Sequence, residues 1–183
     1  MARFDFFKKQ LPGGLLVYLM LLAVLLAGCQ WIKPLQWQKH GENPRDVVTI
    51  FFSKYQGSQA IVEPVKRSVP DASQTDPLPF ALQELLKGPT DEERAAGFYT
   101  EIPKGTQLRG IEQRDGKVIV DLSRQFEAGG GSNSMVQRLE ELKRTTYSVD
   151  SQHQLEVLVE GKPLETLGGE GLEVPGTLKR EAQ

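Results

Sequence analysis

The 183-residue sequence is poor in the residue types that carry most protein chemistry: one cysteine, Cys29, and two histidines, His40 and His153. A single cysteine excludes a disulfide within the chain and a thiolate zinc site. His40 and His153 are far apart in polar stretches, so they offer neither metal-ligand spacing nor a nucleophile–base–acid trio. Aromatic residues make up only 8% of the chain. There is no excess of positive charge, with 22 basic against 24 acidic residues, and therefore no electrostatic footprint for nucleic acid. Phosphate-cradling motifs of the forms G-x-x-x-x-G-K-[ST] and G-x-G-x-x-G are absent. Gly129-Gly130-Gly131 accordingly reads as a flexible lead-in to a helix, with no lysine behind it to meet an anion.

No apolar run reaches the roughly 20 residues needed to cross a bilayer. The longest, Leu15 to Ala27, has 13 residues and follows Arg3, Lys8 and Lys9. Basic flank, short apolar run and small residues in sequence are the pattern of an export signal. The run closes on Leu26-Ala27-Gly28-Cys29. Ala27 and Gly28 are small enough to lie in a peptidase cleft, and the Cys29 thiol is the nucleophile that thioether lipidation requires. This arrangement resembles the lipobox of bacterial lipoproteins. It implies cleavage between Gly28 and Cys29, and attachment of membrane lipid to Cys29. Two or three acyl chains give stable anchorage where one is marginal. Removal of residues 1–28 takes away three basic residues and one acidic, shifting the net charge from −2 to −4. Anchorage would then rest on the acyl chains, since there is no polybasic patch for anionic lipid.

Residues 29–45 read as a tether, with Trp31, Pro34, Trp37, Gly41 and Pro44 among polar residues and no sustained period. Strands are expected over Val47–Phe52 and Ile61–Val69. Pro64 lacks an amide donor, so the second strand should be an edge or be interrupted. Asp76 followed by Pro77 predicts a helix start, with Leu78, Leu82, Leu85 and Leu86 as its apolar stripe and Gly88-Pro89 as its stop. Thr90 and Glu93 match a capping box, as do Ser134 and Gln137 ahead of a second long helix with Met135, Leu139, Leu142 and Thr146 on one face. Asp115-Gly116 between alternating segments predicts a type I′ hairpin over residues 106–122. Leu155–Glu160 alternates as a strand, and residues 163–174 add a short final one. Glu92-Glu93 and Glu140-Glu141 are expected on exposed helix surface, Asp121 facing solvent and Ser123 starting a turn. Residues 175–183 are expected to form a disordered tail.

The expected fold class is α+β: one mixed β-sheet of about five strands with two helices packed on one face, in the order ββαββαβ. Gly88-Pro89-Thr90, Ile102-Pro103, Gly105-Thr106, Val120-Asp121-Leu122-Ser123 and Val159-Glu160-Gly161, taken in order, resemble the sporulation/germination (GerMN) domain. The resemblance covers residues 46–174 as a domain. Thr100 departs from it, standing where serine is expected, and only one copy is present where the sporulation prototype has two. The resemblance implies an extracytoplasmic module with no established catalytic centre, often carried on a lipoprotein and related to ring-building motifs of envelope assemblies. The expectation is a lipid-anchored, non-enzymatic interaction or assembly module of the bacterial cell envelope, with no cofactor and no metal. Its partners would be envelope proteins or peptidoglycan; the alternative is a binding lipoprotein for a cell-wall fragment or small solute. Replacing Cys29→Ser should abolish labelled-palmitate incorporation and release the protein from the membrane fraction; unchanged labelling and fractionation would contradict the lipobox reading.

Overall fold

The computed structural model describes residues 46–168 and 171–180, all within the second of two units, Gly41–Gln183. Gly28, Cys29, the tether and His40 lie outside the described residues.

Strands β1 (Val47–Gln56) and β2 (Gln59–Ser68) form a long antiparallel hairpin turning at Gly57, whose φ is 62°. Pro64 lies opposite Phe51 on β2, the edge strand of its sheet. The Phe51 amide points away from β2, so the Phe51–Pro64 pair exchanges no ladder bonds and the missing proline N–H costs this pairing nothing. Helix α1 (Pro77–Lys87) starts as expected: the Asp76 carboxylate accepts from the Leu78 amide at 3.2 Å, Pro77 takes the first position, and Gly88 stops it at φ 80°. Its stripe buries Leu78, Ala81, Leu82 and Leu85, while Leu86 is only partly covered. A short helix α2 (Asp91–Ala95) follows, held by the reciprocal Thr90–Glu93 capping box. Arg67 of β2 gathers these pieces: its guanidinium donates to Glu84 at 2.7 Å, Glu93 at 2.6 Å and the Gly88 carbonyl at 3.0 Å.

After the two-residue strand β3 (Phe98–Tyr99) come β4 (Leu108–Arg114) and β5 (Lys117–Leu122). Asp115 and Gly116 between them have φ of 51° and 73°, the left-handed pair that a type I′ turn requires. Helix α3 (Ser132–Val149) leads to β6 (Gln154–Val159), which pairs parallel with β5. Short strands β7 (Lys162–Pro163), β8 (Thr166–Leu167) and β9 (Leu172–Glu173) complete the described strands.

The α+β class holds, but the strands divide. Sheet order is β2-β1-β3 in one sheet, β4-β5-β6-β7 in a second, with β8-β9 as a separate pair. The physical reason is that the second edge of β1 is already covered. β3 pairs it only at Ser53 and Lys54, and α3 covers the rest. The Phe51 amide donates to Thr145 Oγ1 at 3.0 Å, the Ser53 amide to Glu141 Oε1 at 3.2 Å, and Ser148 Oγ donates to the Thr49 carbonyl at 2.7 Å. Four helical residues rise about 6 Å and two strand residues about 6.8 Å, so side chains at 141 and 145 keep step with amides at 53 and 51. No ladder position remains for β5 or β6, which build their own sheet. Both sheets and both long helices contribute to one apolar cluster, including Ile50, Phe52, Leu82, Leu85, Val118, Val120, Leu142 and Leu155.

Two expectations need correction at the ends of elements. Helix α3 begins at Ser132 behind Gly131 with no side-chain cap, because Ser134 and Gln137 are bonded elsewhere. The Ser134 hydroxyl donates to the Glu101 carboxylate, and Gln137 donates to the Ala60 carbonyl at 3.3 Å. Of the tail, the described residues 175–180 are tied down at Leu178, which exchanges backbone bonds with Leu155 at 2.7 and 3.3 Å and accepts from the Tyr147 hydroxyl; residues 181–183 lie outside the described residues. Thr145→Val keeps the shape and leaves the Phe51 amide without its acceptor; urea unfolding should show a loss of about 1–3 kcal/mol, and Thr145→Ser a smaller one.

Candidate functional site

The polar centre of the domain lies where the loop 100–103 meets α3. Glu141 was expected on a charged surface; it is fully buried. Its Oε1 accepts from the Ser53 amide at 3.2 Å, the Ser53 hydroxyl at 2.5 Å and the Glu101 amide at 3.1 Å, and its Oε2 from the Thr100 hydroxyl at 2.5 Å. Burial pushes the carboxyl up to about 7, against the opposing pull of the Ser53 and Thr100 hydroxyls and the Glu101 and Ser53 amides. One turn earlier, Arg138 is 2% exposed. Its guanidinium donates to the carbonyls of Glu101 at 3.0 Å, Phe126 at 2.5 Å, Ala128 at 3.3 Å and Gly129 at 3.1 Å. Burial lowers its pKa, and the carboxylates of Glu101 and Glu141 oppose that shift. Glu101 thus meets α3 through its amide, its carbonyl and its carboxylate.

This geometry also explains the glycine run. The backbone at Ala128 and Gly129 turns carbonyl oxygens onto Arg138. At the same helix end, Ser134 binds the chain's own Glu101 carboxylate. An external anion would meet acceptors there.

An open cleft of about 530 Å³ lies above the network, between the end of α1 and the loop leading to Lys104. Gly88 and Pro89 form one wall; Phe98, Tyr99, Thr100 and Ile102 form the other. Lys54 lies 4.6 Å from the Phe98 ring centroid, and Tyr55 stacks on Tyr99 at 5.1 Å. Burial pushes the Tyr99 phenol up to about 12, helped by Tyr55, Glu101 and Glu141. Its hydroxyl is buried without a hydrogen-bond partner among the described residues.

The other residues singled out from sequence act as joints. Asp121 accepts from the Gly161 amide at 2.9 Å and from Arg109 at 3.3 Å, so it is only partly solvent-facing. Ser123 is buried, its hydroxyl accepting from the Gln107 amide at 2.9 Å. Thr106 closes a turn onto the Pro103 carbonyl at 2.7 Å. Glu93 belongs to the Arg67 cluster and is not free surface. His153 is half-buried with Nδ1 2.9 Å from both Asp150 oxygens. Burial of Asp150 would raise its pKa, but the His153 ring and the amides of His153 and Gln152 hold it below the ordinary range. Among the described residues no three potential metal ligands cluster, and no helix is long and apolar enough to cross a membrane.

Sequence reasoning missed Arg138 and Glu141. The available signal was position: Arg138 falls three residues after Met135 and four before Leu142, inside the apolar stripe, while Glu141 precedes Thr145 by one turn.

These joints, in this order, define a single α+β module. The family model Germane, described as sporulation and spore germination, matches residues 49–165, more than half of the chain. The chain belongs to this family. The tandem GerMN domains of the sporulation protein GerM from Bacillus subtilis superpose with a TM-score of 0.60 at 20% identity, over 74% of this chain and 45% of that one. The first GerMN domain of GerM gives a TM-score of 0.56 at 18% identity, over 73% of this chain and 97% of that one. This chain therefore spans less than half of the tandem structure and nearly all of the single domain. At such identities the likeness establishes the fold. No curated protein shows a significant match.

The raised pKa of Glu141 fixes the sign of a pH effect. A carboxyl at 4.5 when unfolded and about 7 when folded binds its proton more tightly in the folded state. Its contribution is fully present below pH 4.5 and declines as pH rises through about 7. The decline is on the order of 3 kcal/mol in unfolding free energy. Glu141→Gln retains an acceptor for the amides and can donate to Thr100, so it should flatten this dependence; equal pH profiles for the two proteins would contradict the assignment.

Proposed function

We propose that the chain is a lipoprotein anchored through Cys29 on the extracytoplasmic side of a bacterial membrane, and that its Germane domain is a non-enzymatic protein-interaction or assembly module of the cell envelope. One observation carries the reading of the domain. Its two buried ionisable side chains, Glu141 and Arg138, are bonded to Ser53, Thr100, Glu101 and the carbonyls of Phe126, Ala128 and Gly129. Groups so engaged hold segments together. A general base or an anion hook keeps an atom available for substrate. The signal-like segment and Cys29 support delivery to the envelope.

A second reading, a receptor for a cell-wall fragment or small solute, is favoured by the cleft of about 530 Å³. The two separate by experiment. Photo-cross-linking residues placed in living cells at Tyr55, Lys104 and Gln113 should each be tested for a reproducible protein adduct. At least one adduct is expected under the module reading, and none at any position would overturn it. In a thermal-shift assay with peptidoglycan fragments, the receptor reading expects about 2.7 kcal/mol of stabilisation at 100 times the dissociation constant.

A further inference from the structure

The cleft has an asymmetry of charge. Three of its lining residues are cationic, Lys87, Arg94 and Lys104, and none is acidic. Two of the cations are already engaged: Lys87 with Glu84, and Arg94 with Asp91 at 2.5 Å and with the Pro89 carbonyl. Lys87 is 68% and Arg94 56% exposed, and Asp91 90%. The Arg94–Asp91 pair is exposed on both sides and contributes little, so Arg94 can turn to another carboxylate at small cost; Glu84 is only 15% exposed, and it keeps its bond to Arg67 when Lys87 turns away. Lys104 is exposed at the rim. Between the cations lies the half-buried Phe98 ring, with the buried Pro89 and Ile102 also in the lining. Phe98 is steadied by the Lys54 ammonium above its ring.

The backbone adds a second feature. Phe98 and Tyr99 are both the walls of the cleft and the whole of β3. β3 ends the order β2-β1-β3, so among the described residues its outer edge has no strand beside it. An unpaired strand edge presents amides and carbonyls at the spacing of an extended peptide. A strand edge with no strand beside it, the Phe98 ring and a lining whose charged side chains are all cationic meet in one place, and each constrains the same ligand.

We propose that this cleft is the docking site for an extended acidic segment of a partner protein. The segment's main chain runs along the outer edge of β3, an apolar side chain sits against Phe98, and neighbouring carboxylates meet Lys87, Arg94 and Lys104. The proposal rests on the interaction-module reading and deepens it by naming the surface and the chemistry of the partner. It differs from a small-solute site in needing both the strand edge and at least two carboxylates along the ligand.

The test uses the full-length chain in detergent and three fluorescein-labelled hexapeptides that alternate valine with glutamate, glutamine or lysine. Fluorescence anisotropy should show binding of the glutamate peptide with a dissociation constant below about 1 mM, weakening as salt rises, and much weaker binding of the other two. The variant K87E/K104E should bind the glutamate peptide on the order of tenfold more weakly. Its unfolding midpoint, measured alongside, checks that the fold is intact, and the salt series on the unaltered protein decides the question if it is not. Equal binding of the three peptides, indifference to salt, or no binding of the glutamate peptide overturns the proposal. So does capture by phosphatidylglycerol vesicles that needs the same two lysines while the glutamate peptide fails. Protein adducts from position 113 but not from 104, together with a non-binding peptide, would remove the cleft and leave the interaction-module reading in place.

Discussion

The amides of Phe51 and Ser53 point away from β2, and much of the domain is arranged around giving them acceptors. Helix α3 supplies these through Thr145 and Glu141, with Ser148 returning a bond to the Thr49 carbonyl. A helix normally presents an apolar stripe to a sheet face. Here a polar stripe runs beside it and closes a sheet edge, which is why Glu141 and Thr145 are buried; Thr146 lies on the apolar stripe, its hydroxyl donating to the Leu142 carbonyl. A buried backbone donor without a partner costs about as much as a lost hydrogen bond, so the arrangement is enforced by backbone chemistry more than by packing.

Glu141 couples that edge to the loop that follows β3. Through Ser53, Thr100 and Glu101 it joins a strand, a loop and a helix that are distant in sequence. Arg138 extends the joint to the segment 126–129, and Arg67 makes a comparable joint between β2 and the ends of α1 and α2. The loop so held forms one wall of the cleft. A rigid wall limits the entropy that a bound segment would cost the receptor. The polar network thus bears on function through positioning, and the surface facing outward carries the recognition chemistry.

Much of this was legible in the sequence. Asp76-Pro77 and Gly88 mark both ends of α1, Thr90 with Glu93 marks α2, and Asp115-Gly116 marks the hairpin, because each acts through its own neighbouring backbone. What sequence concealed was non-local. The division into two sheets depends on which element claims the second edge of β1, and propensity says nothing about that. Glu141 beside Glu140 looks like a solvated pair; Glu140 is half-buried and pairs with Arg144 at 3.2 Å and with Lys143, while its neighbour is fully buried. Ser134 resembled a helix cap, yet its hydroxyl is taken by Glu101, 33 residues away. The cleft was invisible for the same reason, since α1, α2 and the loop 98–104 meet there only in three dimensions.

Amide hydrogen exchange read residue by residue tests the central claim most directly. If α3 closes β1, the Phe51 and Ser53 amides should be protected to within about tenfold of Ile50 and Phe52, whose amides face β2. Exchange of Phe51 and Ser53 at the rate of an open edge, with Ile50 and Phe52 still protected, would contradict it.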